Sequence, residues 1–172
     1  VVSVVMNHRD HRKILVIDGH TAFTGGINLA DEYINQKERF GHWKDTGVML
    51  KGRGVWSFTV MFLEMWNAFR TDTGKFEDFR PCEEELENMI EAEAGSFVQP
   101  FSDSPLDSEP VGENVYIEIL SQARKYVYIF TPYLIIDNEL QSALCLAAKR
   151  GVDVRIVTPG IPDKKLVFRI TR

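Results

Sequence analysis

Between Glu113 and Thr158 the sequence runs through four segments of alternating helical and strand period, and this alternation restricts the fold more than any other feature. Residues Glu113–Lys125 read as a helix, Tyr126–Thr131 as a strand, Asn138–Arg150 as a second helix and Val152–Thr158 as a second strand. A helix lying between two aliphatic strands makes a parallel βαβ unit, with the strands expected to be buried on both faces. Gly151 stands where the second helix terminates. Just upstream, Phe97–Phe101 reads as a further strand and Ser102–Pro110 as a loop of Ser, Asp, Pro and Glu. The fold class is α/β.

The first half is patterned differently. Val1–Val5 reads as a strand already under way, and Lys13–Asp18 (KILVID) is a short aliphatic run. Asp18-Gly19 signals a tight turn and Thr21–Thr24 follows as its partner strand, which predicts a hairpin. Gly25-Gly26 breaks that strand, and Asn28–Tyr33 reads as a polar or helical turn that Asn28 could cap. Thr46–Leu50 is another short strand. Val55–Phe69 is a helix apolar on nearly every side, as expected inside a large core, and Trp56 and Trp66 are assigned to that core rather than to lipid. Six glutamates between Pro81 and Glu93 mark a solvated linker helix that ends at Ala94-Gly95-Ser96. Residues 1–96 therefore read as the late part of one α/β domain and residues 97–172 as the opening part of another. Both ends look cut from a longer chain.

A net charge of -5 argues against a broad electrostatic grip on nucleic acid or on an anionic membrane surface. The longest strongly apolar stretch, Tyr126–Ile136, is interrupted by Thr131 and Pro132, whereas a spanning helix needs about 20 residues. No signal peptide is expected ahead of Val1. Cys82 and Cys145 lack any metal-binding spacing and read as free thiols of a reducing compartment. His8, His20 and His42 find no carboxylate or cysteine that completes a ligand set, so neither a metal nor another cofactor is expected.

Chemistry concentrates in one constellation. His11, Lys13 and Asp18 stand in the spacing H-x-K-x-x-x-x-D, followed by Gly25-Gly26-x-Asn28. On a strand, residues 11 and 13 project to one face about 7 Å apart, which suits a single phosphate. Imidazole is both a competent nucleophile near neutral pH and a tolerable leaving group, as a covalent phosphoryl intermediate demands. Lys13 would supply positive charge to the phosphoryl oxygens, Asn28 a neutral donor, and the paired glycines close backbone approach. Asp18 is placed to orient neighbouring groups. By themselves a His and a Lys two apart on an edge strand are ordinary surface residues; the aliphatic run, the GGxN and the Trp43-Lys44-Asp45 segment together give them weight. Asp45 and Glu139 are each either the acid that steadies a catalytic imidazole or a capping or surface residue. Tyr133, with Pro132, follows a strand at its carboxyl end, where α/β folds place their sites.

The run from Asn7 to Ile34, NHRDHRKILVIDGHTAFTGGINLADEYI, resembles the HKD signature of the phospholipase D superfamily. GHWKDTGVMLKG (41–52), YVYIFTPYLIIDNEL (126–140) and GVDVRIVTPGIPD (151–163) extend the likeness to bacterial cardiolipin synthases across nearly the whole chain. The resemblance implies a mixed sheet flanked by helices, with two similar domains whose HKD motifs meet to make one active site. It implies a phosphatidyl-histidine intermediate, formed on phosphatidylglycerol with release of glycerol and resolved by a second phosphatidylglycerol to give cardiolipin, without a metal. His11, Lys13, Asp18 and Asn28 would be catalytic, and Gly25, Gly26, Asp45, Tyr133 and Glu139 would line the substrate. A parent protein at the cell membrane, attached through parts absent here and facing the cytoplasm, is implied, with this segment itself soluble. The sequence departs from the family in having no second H-x-K-x-x-x-x-D. The segment alone is therefore expected to be inactive unless two copies pair as a homodimer that joins two His11 residues. Hydrolysis by a phospholipase D or nuclease of the same superfamily is the alternative, and an inert fragment or binding module the third.

Overall fold

A computed structural model describes residues 10–68, 70, 74–89, 97–103 and 108–161. It is a mixed α/β structure in which the described residues of Val1–Glu38 and His42–Phe101 form one compact unit, and those of Arg39–Gly41 and Ser102–Arg172 another. The expected strand at Val1–Val5 lies outside the described residues.

The first unit is a three-stranded antiparallel sheet with one main helix. Strand β1 (Ile14–Ile17) pairs with β2 (Thr21–Gly25), Ile14 opposite Thr24, and β2 pairs with β3 (Gly47–Lys51), Gly25 opposite Gly47. Asp18 and Gly19 both take positive φ, 51° and 69°, and the His20 N–H closes the turn on the Ile17 carbonyl at 3.2 Å. Positive φ at both central residues gives the turn a twist that matches that of the strands, so the Asp-Gly signal produces the expected hairpin. Helix α1 (Val55–Asn67) packs on β1 and β2, burying Val55, Thr59, Met61 and Leu63 beside Ala22. A one-turn 3-10 helix, Phe76–Phe79, leads to α2 (Glu83–Met89), whose Leu86 is buried.

The second unit is a βαβ arrangement preceded by a helix: α3 (Val111–Gln122), β4 (Tyr126–Phe130), α4 (Asn138–Lys149) and β5 (Asp153–Val157). The two strands are parallel, Tyr126 opposite Asp153 and Phe130 opposite Val157. Asp137 caps α4 by accepting from the Leu140 N–H at 2.8 Å, which satisfies a donor the helix itself leaves open. Arg150 ties the two helices together by donating to the Leu120 carbonyl at 2.6 Å.

Three expectations are corrected. Phe97–Phe101 is not a strand: it has no ladder partner among the described residues, Pro100 can donate no hydrogen bond, and Phe97 is fully exposed. The parallel strands are not buried on both faces. The helices cover one face only, and on the other Tyr126, Tyr128 and Phe130 are 63%, 50% and 80% exposed, because one helical layer can cover only one side of a sheet. For the same reason α1 is not enclosed; Phe62 and Trp66 stand about half exposed, with the Arg70 guanidinium 3.9 Å over the Trp66 ring, while Trp56 is half-buried beneath Arg80. Asn28–Tyr33 runs as bends and turns, in keeping with the polar turn expected there. Among the described residues no helix is long and apolar enough to cross a membrane.

Candidate active site

The sheet sorts the candidate residues by end. His11 and Lys13 immediately precede β1, Gly25-Gly26 close β2, and Asp45 lies just before β3. Because β1 and β3 both run antiparallel to β2, these three places fall at the same end of the sheet. Asn28 follows there, half-buried, with its carbonyl accepting from the Ala30 N–H at 3.1 Å. Asp18 sits in the turn at the other end, a full strand of about 13 Å away, where its exposed carboxylate lies 4.0 Å from the His20 ring. The structure thus brings His11, Lys13, Gly25, Gly26 and Asp45 to one end of the sheet, with Asn28 three residues beyond β2, and leaves Asp18 apart. Strand β1 itself separates the two halves of H-x-K-x-x-x-x-D, with the aliphatic run between Lys13 and Asp18 carrying Asp18 to the far turn.

His11 and Lys13 lie ahead of the strand rather than on it, and their side chains are closer than strand geometry would make them. The Lys13 ammonium is 3.0 Å from His11 Nδ1, 2.9 Å from Nε2 and 2.8 Å from the His11 carbonyl oxygen, to which it donates. An ammonium has donors only, so the ring nitrogen that takes its hydrogen bond is unprotonated and turns its lone pair towards Lys13. His11 is exposed and Lys13 half-buried, so the imidazole is open to solvent. Between them, Arg12 turns to Asp10 in a paired contact at 2.7–3.0 Å. The Arg12 hydrogen bond, opposed by partial burial and helped by the Arg12 charge, holds the Asp10 carboxyl below the usual carboxylate range. Asp10 is thereby committed to Arg12 as the carboxylate nearest to His11 in sequence.

Two close approaches explain the paired glycines. A Cβ on Gly25 would run into the Thr46 carbonyl oxygen, so the absence of a side chain lets β3 start flush against the end of β2. A Cβ on Gly26 would stand 2.5 Å from Asp45 Oδ1. The second carboxylate oxygen, Oδ2, accepts from the Trp43 indole N–H at 2.8 Å. Asp45 is therefore held against the GGxN turn by an indole rather than left as a surface charge.

Tyr133 and Glu139 belong to the second unit. Tyr133 is half-buried, and its N–H and carbonyl both meet the Thr131 hydroxyl, at 3.3 and 2.9 Å. Glu139 is exposed in the first turn of α4, where carboxylate oxygens of Glu113, Asp137 and Glu139 lie within 4.8 Å of one another. Desolvation, a carboxyl hydrogen bond with Asp137 and the charges of Asp137 and Glu139 push Glu113 up. A carboxyl raised in the folded state favours folding below its unfolded value and loses that contribution as pH rises through the folded value. Glu113→Gln is thus expected to melt higher than wild type at neutral pH and to converge with it in acid, as a pair of calorimetric pH series will show. Sequence reading missed Glu113 and the cap role of Asp137; an Asp just before a helical run was a legible capping signal.

Residues 116–171 match the family model described as the PLD-like domain of cardiolipin synthase. Over 172 residues the chain is 35% identical to cardiolipin synthase 2 of Bacillus anthracis, covering 100% of this chain and 32% of that protein. Cardiolipin synthase of Alkalihalophilus pseudofirmus is 35% identical over 97% of this chain and 32% of its own length. The chain is similar to proteins named cardiolipin synthase over nearly its whole length. A Streptococcus mutans serotype c protein named only as uncharacterized is 62% identical over 99% of this chain and 36% of its own length. The chain thus spans about a third of the length of the curated relatives it matches. The cardiolipin synthase likeness reaches both compact units, the family model only the second.

Proposed function

We propose that this chain is one stretch of a longer phosphatidyltransferase of the phospholipase D type, in which residues 1–96 carry the late part and the HKD motif of a first domain and residues 97–172 open a second. The observation that carries the reading is the gathering of an exposed imidazole, an ammonium 2.9 Å from it and the GGxN turn at one end of a sheet. Similarity to proteins named cardiolipin synthase over the whole chain supports phosphatidylglycerol as the substrate.

In this reading a His11 ring nitrogen attacks the phosphorus of phosphatidylglycerol, and the bond from phosphorus to the glycerol oxygen breaks. Glycerol leaves with a proton supplied by a second acid, and the phosphatidyl group remains on His11. The free hydroxyl of a second phosphatidylglycerol then attacks the same phosphorus, gives up its proton and frees the imidazole, forming cardiolipin. Lys13 meets the charge that grows on the non-bridging oxygens in both steps, while the neutral Asn28 amide holds those oxygens alike in the bound substrate and the transition state. His8, His11, His20 and His42 are the only histidines, and although His42-Trp43-Lys44 repeats H-x-K, only His11 stands in a full H-x-K-x-x-x-x-D, so the reading assigns the second acid to another part of the protein or to a second copy. This chain by itself is expected to turn over little substrate as a monomer. Attachment to a membrane, at its cytoplasmic face, would come through the rest of the protein.

The test is product analysis. The full-length protein, given phosphatidylglycerol, is expected to release cardiolipin and glycerol in equal amounts by mass spectrometry. Phosphatidic acid as the main product would place water in the second step and make the protein a hydrolase.

A further inference from the structure

The connection from Gly25 to Gly47 is long for two adjacent antiparallel strands, which are usually joined by about 2–5 residues. A loop of that length costs order, and this one is pinned from within. Asn35, in a left-handed conformation at φ 59°, grips the backbone of Trp43 from both sides: its Nδ2 donates to the Trp43 carbonyl at 2.7 Å and its Oδ1 accepts from the Trp43 N–H at 2.6 Å. That pair of bonds imitates a strand partner and fixes the direction in which the indole leaves the backbone. The Tyr33 ring meets the indole edge-on at a centroid distance of 4.9 Å. The indole N–H then reaches Asp45 Oδ2, and the other carboxylate oxygen occupies the space that a Gly26 side chain would fill. Gly26 in turn is tied to β3 through its N–H and the Thr46 carbonyl, 3.2 Å apart. Two residues further on stands Asn28.

We propose that Asn35 and Trp43 are positioning residues for the phosphate grip: through the Asp45 carboxylate they lock Gly26, and with it the turn that presents Asn28. The proposal rests on the phosphatidyl-transfer reading for its kinetic consequence, but the lock itself is a property of the first unit alone. Neither side chain needs to touch substrate. A phosphate bound equally in the ground and transition states would feel the lock as affinity, which separates this role from that of the nucleophile. A Trp to Phe change removes the N–H donor while keeping an aromatic ring beside Tyr33, so it tests the hydrogen bond with part of the packing retained.

In the full-length protein, Trp43→Phe is expected to raise KM for phosphatidylglycerol about tenfold with kcat within about twofold, the size that losing one hydrogen bond to a charged group allows. In an Asn28→Ala background the same change is expected to add less than about twofold, because the grip it positions is already gone. Backbone amide exchange in the peptide spanning Gly26 to Asn28 is expected to accelerate in Trp43→Phe. An unchanged KM, or a full tenfold effect persisting in the Asn28→Ala background, would overturn the positioning role. Should the wild type convert no phosphatidylglycerol at all, the functional reading fails, while unaltered amide exchange at Gly26 to Asn28 would separately overturn the lock.

Discussion

His11→Ala in the full-length protein is expected to lower phosphatidyl transfer by about four orders of magnitude or more, since loss of a covalent nucleophile typically removes about that much. The remaining charge and donors at Lys13 and Asn28 can still hold a phosphodiester, but they offer no atom to accept it. Binding is expected to survive where turnover does not. The fold is not at stake in this change: His11 is exposed and precedes the first strand, and substitutions at such positions stay within about 0.5 kcal/mol of wild type. Product release followed by mass spectrometry, alongside a melting curve, therefore separates lost chemistry from lost structure. Transfer at a tenth of the wild-type rate or better would remove His11 from the nucleophile's role.

Gly25→Ala is expected to cost about 3 kcal/mol of stability, a large effect for one methyl group. The added carbon would meet the Thr46 carbonyl oxygen, which is backbone and has no rotamer to turn aside. Either the Gly25–Gly47 pair opens or the β3 start shifts, and both disturb the end of the sheet where the candidate site is gathered. The denaturant midpoint of the variant should fall with little change in slope, as for a native-state defect. A midpoint equal to wild type would mean that β3 yields freely, and that the sheet end is less tightly closed than the close approach implies.

Much of this arrangement was readable from residue types. The Asp18-Gly19 turn fixed the hairpin because few residues tolerate positive φ at both central places, and the Asp137 to Leu140 bond follows a common capping pattern. Aliphatic runs separated by helices led to the parallel β4–β5 pair. Burial was less legible. An apolar helix such as Val55–Asn67 states that it wants covering on several sides, but not which sides this stretch of chain can cover, and Phe62 and Trp66 stay half exposed. Phe97–Phe101 failed as a strand because aromatic composition does not supply a ladder partner.

For the site, the motif spacing pointed to His11 and Lys13 as a pair, and the structure sets them within 3.0 Å. The separation of Asp18 from them is the length of β1, which the aliphatic run between Lys13 and Asp18 already implied. The Asn35 to Trp43 to Asp45 chain was hidden. It joins residues across a loop, and only an asparagine in a left-handed conformation followed later by a W-x-D hinted at it.

The central claim is that one imidazole carries the phosphatidyl group. Full-length protein mixed with phosphatidylglycerol, quenched under alkaline denaturing conditions that preserve a phosphorus–nitrogen bond and digested for mass spectrometry, measures this directly. The peptide containing His11 is expected to carry a phosphatidyl group, and the same peptide from His11→Ala to carry none. Cardiolipin forming at the normal rate while the adduct sits on another residue, or on none, would contradict the account.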